Sequence, residues 1–173
     1  MLGQLTQLED RWQLRFTREL QHPPDKVWRA LVEPEHLEAW FPTTIEGDRA
    51  VGASLKFSFR EDEAPPMQGE MITYEPSSLL EFKWGEDLLR FELQVVDSGT
   101  LLTLSDTFDE LGRAARDAAG WHVCLDLLKR HLVGEDPPAD QGTAWTSVHA
   151  QYVEVLGPEA ATIGPPEGFI DKT

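Results

Sequence analysis

The longest helical pattern in the chain decides its fold and reads LGRAARDAAGWHVCLDLLKRHLV at residues 111–133. Its apolar residues recur at spacings of three and four, which places them on one face of a helix. They are Ala114, Ala118, Trp121, Leu125, Leu128 and Leu132. Such a stripe must be buried against a partner. The residues before it predict an antiparallel sheet, so we expect this helix to pack on that sheet.

Short segments of alternating apolar and polar residues precede the helix. Residues 12–20 form the first of them, and Pro23 and Pro34 then predict the starts of two short helices. From residue 43 onward, further alternating segments are separated by turn signals such as the one at residues 97–99. This order predicts an α+β fold in which a curved antiparallel sheet of six or seven strands wraps around a long C-terminal helix.

The same patterns set the expected domain organisation. A single domain is predicted over residues 12–135, after an N-terminal lead at residues 1–11. A polar, proline-containing linker follows at 136–142, then a C-terminal helix at 143–157 and a loose tail at 158–173.

Charge and composition exclude several classes of partner. The 173 residues include 15 Lys and Arg against 31 Asp and Glu, a formal charge of −16. A surface this acidic repels phosphate backbones, so neither nucleic acid nor a membrane is an expected partner. The start of the chain lacks the pattern of a signal peptide, no stretch is apolar enough for a membrane span, and Cys124 is the single cysteine. These features predict a cytoplasmic protein, either a monomer or a homodimer.

Two sequence segments resemble a known family. The order of a strand, two small helices, a meander and a long final helix is the helix-grip arrangement of the START-like, or SRPBCC, superfamily. Within it, the chain resembles the activator of Hsp90 ATPase homologues. The resemblance rests on Val27-Trp28-Arg29-Ala30-Leu31, Pro34-Glu35-His36-Leu37, Trp40-Phe41, Gly99-Thr100 and Gly120-Trp121 with Leu125, Leu128 and Leu132. It implies a cavity between sheet and helix, but no catalytic residues, because the family shares no catalytic set.

Nine residues on predicted inner faces are candidates for a ligand site in such a cavity. They are Trp40, Phe57, Phe59, Tyr74, Trp84, Phe91, Asp106, Trp121 and Leu125. Large apolar side chains on inner faces usually only fill the core. They are also what lines most small-molecule pockets, together with a few polar groups. The sequence predicts a role in the core and a role in lining a pocket equally well for these residues.

Asp106 is the polar group of most interest in this set. Leu102 and Leu104 are expected to face inward, and strand periodicity sends Asp106 the same way. A carboxylate there could orient a ligand or act as a base with a raised pKa. Alternatively, the strand frays at Ser105 and Asp106 is solvated. The second interpretation is favoured, since inward acidic groups are rare.

Other conspicuous residues give weaker indications of a functional site. Gly120 in the long helix predicts a close approach of a strand or of Trp28, or a relaxed helix where a ligand enters. The five histidines show no metal-binding spacing, including the pair formed by His122 with Asp126, and are expected at the surface. Cys124 is expected to be an inert small hydrophobe. No metal and no cofactor is predicted.

Three functions follow as hypotheses. The first is the binding of a small apolar ligand between sheet and helix, with Asp106 or Tyr74 as polar anchor. The second is a cyclase- or hydrolase-type enzyme that uses the same cavity. The third is a co-chaperone or protein-interaction role, in which Trp145 and Tyr152 of the C-terminal helix dock a partner. A chaperone partner is the less expected outcome, because that helix is predicted to cover the domain's own sheet.

Overall fold

The structure, a computed structural model, describes residues 1–165 of the chain. That part forms eight strands and four α-helices, joined by short loops and three 3₁₀ turns. The elements are β1 (Gln4–Leu8), β2 (Arg11–Leu20), α1 (Pro24–Val32), α2 (Pro34–Leu37), β3 (Thr43–Glu46), β4 (Ser54–Phe59), β5 (Met67–Glu75), β6 (Leu79–Trp84), β7 (Asp87–Val96), β8 (Gly99–Phe108), α3 (Ala114–Leu132) and α4 (Gln141–Leu156).

All eight strands belong to one antiparallel sheet in the order β1-β2-β8-β7-β6-β5-β4-β3. The six strands from β3 to β8 follow one another as a meander, and β8 then pairs with β2. The helices α1 and α2 lie between β2 and β3 in the chain, which are separated by five strands in the sheet. The predicted α+β helix-grip fold, with a curved antiparallel sheet and a long helix, is confirmed.

The strand count exceeds the prediction of six or seven by the edge strand β1. This strand lies within residues 1–11, which were predicted only as an N-terminal lead. It forms a hairpin with β2, and Glu9 in the connecting turn has a φ of 54°. Because most side chains of β1 are exposed, the segment lacks the alternation by which half-buried strands are recognised.

The helix α3 buries the face that the sequence predicted. Trp121 is 6% exposed and Leu125 is 2% exposed, and Leu128 and Leu132 are also buried. Four buried alanines occupy the first part of the helix, at positions 114, 115, 118 and 119. Small side chains allow a close approach of the sheet there, while Trp121 supplies bulk in the next turn.

The C-terminal helix α4 packs against α3 and is held by one buried hydroxyl. Tyr152 is fully buried, and its Oη accepts a 2.8 Å hydrogen bond from the backbone N–H of Gly3. The same hydroxyl lies 2.9 Å from Nδ1 of His122 on α3. Tyr152 therefore joins α4 both to α3 and to the N-terminal segment. The helix begins at Gln141, two residues before the predicted start, with Asp140 as its cap.

The chain remains attached to the domain after α4. Ala160 is buried in a 3₁₀ turn at Pro158–Ala161, and the N–H of Ile163 donates a 3.0 Å hydrogen bond to the carbonyl of Gly112. The prediction of a loose tail is therefore wrong for residues 158–163, and residues 166–173 of that tail lie outside the described part of the chain. No helix among residues 1–165 has the length and apolarity needed to cross a bilayer.

Candidate functional site

Most of the predicted aromatic residues meet in one network between the sheet and α3. Trp84 is its centre, with ring centroids 4.8 Å from Phe57, 5.1 Å from Phe41, and 6.1 Å from both Phe59 and Trp121. Edge-to-face and tilted pairs of this kind add to the stability that the buried area provides. The network therefore contributes to the core, and its rings are close enough to one another to form one continuous apolar wall.

Exposure distinguishes the two ends of this network. Trp40, Phe57 and Phe91 are 2% exposed or less, and the indole of Trp40 donates a 2.8 Å hydrogen bond to the carbonyl of Ala30. Trp84 and Phe59 are only partly buried. The apolar wall thus runs from the sealed interior to the surface, at the side of the domain where Trp84 meets Trp121.

The remaining apolar candidates lie in different places. Leu125 is buried on α3, one helical turn after Trp121. Tyr74 packs its ring on Trp28, with centroids 5.4 Å apart, and has no recorded ring contact with the network around Trp84. The structure thus separates Tyr74 from the other candidate residues.

Asp106 is buried on the inner side of β8. The strand continues to Phe108 and pairs with β2 and β7 on both sides, which leaves the Asp106 side chain 1% exposed. The expectation that the strand frays at Ser105 and leaves Asp106 in water is wrong, because two neighbouring strands hold the backbone beyond that point. The indole Nε1–H of Trp121 donates a 3.0 Å hydrogen bond to Oδ2 of Asp106.

The second oxygen of Asp106 is buried and has no hydrogen-bond partner among the described residues. Burial and the nearby carboxylates of Asp87 and Asp117 raise the pKa of Asp106 to about 8, while the hydrogen bond from Trp121 and the charge of Arg113 act against that rise. The raised pKa favours the neutral carboxylic acid form of Asp106.

Charged residues that the sequence analysis did not select surround Asp106. Arg113 contacts Oδ1 of Asp87 and lies 2.8 Å from Oδ2 of Asp117, and Arg116 holds the other oxygen of Asp117 at 2.9 Å. Burial, the largest effect, raises the pKa of Asp87, although Arg113 opposes the rise. Arg113 also lies over the ring of Phe108 at 5.0 Å.

Part of this arrangement could have been read from the sequence. Asp87 is two residues before Leu89 in β7, so strand alternation places both on the inner face with Asp106. Arg113 and Asp117 are four residues apart, a spacing that favours an ion pair.

Three carboxylates in this cluster are close enough to hold a cation. One oxygen from each of Asp87, Asp106 and Asp117 lies within 4.8 Å of the other two. Oxygen ligands of this kind suit hard divalent ions. Arg113 already supplies a positive charge to Asp87 and Asp117, however. The cluster is consequently an acid group balanced by arginines.

Gly120 and Cys124 are the other residues of α3 that the sequence singled out. A Cβ at Gly120 would meet nothing within 4 Å, so the predicted close approach of a strand or of Trp28 is wrong. Open space instead lies beside the helix at the position before Trp121. Burial raises the pKa of the Cys124 thiol to about 12, which leaves almost no thiolate at neutral pH.

Two surface clefts lie elsewhere, around the C-terminal end of α3. One has a volume of about 390 Å³ and lies between α1, α2 and His131, and the other, of about 420 Å³, extends from Glu38 and Arg60 to Gln141. Neither is lined by Asp106 or by the aromatic network.

Solved structures of other proteins share this fold. A conserved protein of unknown function from Enterococcus faecalis, EF2215, superposes with a TM-score of 0.73 at 23% identity, over 89% of this chain and 90% of that one. CalU16 from Micromonospora echinospora gives a TM-score of 0.66 at 21% identity, with coverage of 84% and 88%. The protein encoded by BPP1335 from Bordetella parapertussis gives 0.60 at 27% identity, with coverage of 81% and 84%.

The sequence comparisons agree with the fold. No protein of curated function matches the chain significantly. The model of the family described as activator of Hsp90 ATPase homolog 1-like protein matches residues 21–133, which is more than half of the chain and includes α1, the meander and α3. This protein belongs to the family of activator of Hsp90 ATPase homolog 1-like proteins.

Proposed function

We propose that the protein binds a small apolar molecule between the sheet and α3, and that Asp106 anchors a polar group of that molecule. The observation that carries the proposal is the free oxygen of Asp106, which is buried without a hydrogen-bond partner beside an aromatic wall. A buried polar atom left unpaired costs about 1–3 kcal/mol, and a ligand that donates to it or accepts from it would recover that energy.

The aromatic residues supply the contact area in this proposal. Trp84 and Phe59 reach the surface, while Phe57, Phe91 and Trp121 continue the wall into the interior. The ligand would enter beside Gly120, where the helix leaves open space. Leu125 would form the inner limit of the site on α3, and Trp40 would close it behind Phe91, with which its ring is in contact.

The chemistry of Asp106 selects the ligand class. A neutral carboxylic acid donates one hydrogen bond and accepts others, so it pairs well with a carbonyl, hydroxyl or amide group. Since the protein interior offers no compensation for an unpaired charge, an apolar molecule with one such neutral group is the best match.

The experiment is a titration of intrinsic tryptophan fluorescence with a library of apolar compounds that each carry one carbonyl or hydroxyl group. A saturable response is expected in the native protein and in Trp145→Phe, because Trp145 lies on α4. The response should be much smaller in Trp84→Phe. If no compound gives a saturable response, or if Trp145→Phe removes it, the proposal is contradicted.

A second candidate is an enzyme of cyclase or hydrolase type at the same place. It is favoured by the buried carboxyl group of Asp106, whose second oxygen has no hydrogen-bond partner within residues 1–165. Burial and the carboxylates of Asp87 and Asp117 raise the pKa of this group, which suits proton transfer near neutral pH. Asp106→Asn would distinguish the two functions, because it keeps hydrogen bonding but cannot transfer a proton. If a compound from the library is converted, turnover should be lost in this variant while binding is retained.

The protein-interaction alternative loses its main support. Tyr152 was expected to dock a partner, but it is fully buried and hydrogen-bonded within the domain. Tyr152 therefore anchors α4 to the rest of the domain.

A further inference from the structure

A cationic cleft lies at the junction of α1, α2 and the C-terminal end of α3. It has a volume of about 390 Å³, and its polar lining consists of Lys26, Arg29, His36 and His131. It is separated from the site at Asp106 by most of the second half of α3, because the ten residues from Trp121 to His131 span about 15 Å of helix. It is therefore a different site from the one proposed above.

Two basic side chains of this cleft lack an ion pair in the described part of the chain, although the protein is strongly acidic. The protein carries 31 acidic residues against 15 Lys and Arg, so an unpaired basic side chain has many carboxylates to choose from. Within residues 1–165, however, neither Lys26 nor Arg29 makes a side-chain hydrogen bond or an ion pair. They are three residues apart on α1, which places both on the same side of that helix.

The two histidines form a pair that can respond to an anion. Nδ1 of His36 and Nε2 of His131 are 2.8 Å apart, and Nε2 of His36 lies 3.3 Å from a carboxylate oxygen of Glu33. If Nε2 of His36 carries the proton toward Glu33, its Nδ1 accepts the N–H of His131. Nδ1 of His131 then carries a lone pair, and it becomes a donor only when His131 is protonated.

We infer that this cleft binds a small molecule through a phosphate group, with Lys26 and Arg29 as fixed charges and His131 as a proton-dependent donor. A phosphate group is a strong acceptor for both kinds of cation, and arginine pairs with it in bidentate geometry. The formal charge of −16 disfavours an anionic membrane as the source of the phosphate.

Binding should be coupled to proton uptake. Burial lowers the pKa of His131, and the nearby His36 ring and Lys26 ammonium lower it further. Lys26 from α1 and His36 from α2 face this ring, with Glu33 behind His36. His131 also borders the second cleft, whose charged residues are Glu38, Arg60, Arg130, Glu135 and Asp136. A bound anion raises the pKa of His131 because it offsets these cations. The affinity of the native protein relative to that of His131→Gln should therefore fall as pH rises from about 6 to about 8.

The test is calorimetric titration of the full chain with inorganic phosphate and with pyrophosphate, in two buffers of different ionisation enthalpy. Saturable binding in the millimolar range or tighter is expected, with more proton uptake near neutral pH than in His131→Gln. The double variant Lys26→Gln, Arg29→Gln should weaken binding about 10-fold or more, since two charge-assisted hydrogen bonds are lost. Lys129→Gln is the matched control, because Lys129 is exposed on α3 and does not line the cleft.

His131→Gln separates the proposed role from a structural one. It should bind phosphate with reduced affinity and with less proton uptake than the native protein, while its circular dichroism stays that of the native protein. Unchanged affinity in the double variant overturns the inference, as does equal weakening in Lys129→Gln. Binding to vesicles that contain phosphatidic acid, without binding of phosphate or pyrophosphate, would likewise overturn the assignment to a small molecule.

Discussion

The indole Nε1–H of Trp121 donates to Oδ2 of Asp106 across a distance of 3.0 Å, and thereby joins the long helix to the last strand of the sheet. The bond lies where the aromatic network meets the charged cluster around Arg113. One oxygen of Asp106 is satisfied by it and the other is not. Four predictions follow from this arrangement and from the contacts around it.

Trp121→Phe should lower the free energy of unfolding by about 1–3 kcal/mol, because both oxygens of a buried carboxyl group then lack a partner. The same variant should raise the pKa of Asp106, since the indole hydrogen bond favours the charged form. Denaturant unfolding measures the first effect, and an NMR titration of the Asp106 carboxyl carbon measures the second. Trp12→Phe is the control, because the indole of Trp12 makes no recorded hydrogen bond in residues 1–165 and lies in a partly buried position. Equal losses in both variants would contradict the role of the bond.

Asp106→Asn should change how stability depends on pH. The folded protein keeps the proton of Asp106 up to about pH 8, whereas the unfolded chain loses it near the ordinary pKa of 3.8. Between these values the unfolded state binds fewer protons, so this residue reduces stability as pH rises. Relative to the native protein, Asp106→Asn should gain at least about 1 kcal/mol between about pH 4 and about pH 8.

The quantity to measure is the difference in the free energy of unfolding between the native protein and Asp106→Asn. The lowered pKa values of His122, His131 and His149 make both proteins more stable as pH rises, so this contribution cancels in the difference. Urea unfolding at several pH values supplies it. A difference that stays constant with pH would show that Asp106 is ionised in the folded protein.

Gly120→Ala should raise the free energy of unfolding by about 0.5–1 kcal/mol. Alanine favours the helix more than glycine does, and its Cβ would meet nothing within 4 Å. The contrasting variant is Gly69→Ala in β5, where a Cβ would lie 1.9 Å from the carbonyl oxygen of Lys83 and 2.6 Å from the ring of Phe57. That variant should be strongly destabilised. Thermal unfolding of the two variants tests whether the space beside α3 is open, and a loss of stability in Gly120→Ala would show that it is not.

Tyr152→Phe should destabilise the protein by about 1–2 kcal/mol, since the hydroxyl that joins α4 to Gly3 and His122 is removed. Hydrogen exchange at the Gly3 amide should accelerate, because this amide loses its acceptor. Tyr74→Phe is the matched control, as the hydroxyl of Tyr74 makes no hydrogen bond recorded in the described part of the chain. Unaltered exchange at Gly3 would mean that the N-terminal strand is held by its pairing with β2 alone.

Local patterns were sufficient to predict much of the fold. The apolar helix face that ends at Leu132 had to be buried against another element. The alternation through Leu102 and Leu104 placed Asp106 on the inner face of the sheet. The sequence nevertheless favours a solvated Asp106, because local alternation does not reveal that β2 and β7 pair with β8 beyond Ser105. An acidic residue is retained inside when neighbouring strands fix the backbone and an indole supplies a donor.

Contacts between distant residues could not be predicted in this way. His36 and His131 are 95 residues apart in the chain, and their pairing depends on how α2 and α3 cross. The same holds for Arg113 and Asp87, which are 26 residues apart and meet only once α3 lies on the sheet. The edge strand β1 was missed for another reason, since its exposed side chains show no apolar pattern to recognise.

The central claim is that a small apolar molecule binds against Trp84 and Trp121 and pairs with Asp106. Two-dimensional ¹H–¹⁵N NMR of the tryptophan indole groups tests it most directly, because the Nε1–H of Trp121 reports on the carboxyl group that it contacts. On addition of a hydrophobic compound with one carbonyl or hydroxyl group, the Trp121 indole resonance should shift saturably while that of Trp145 on α4 stays in place. If the compounds that bind leave the Trp121 resonance unchanged, or shift only that of Trp145, the ligand does not reach Asp106 and the account is wrong.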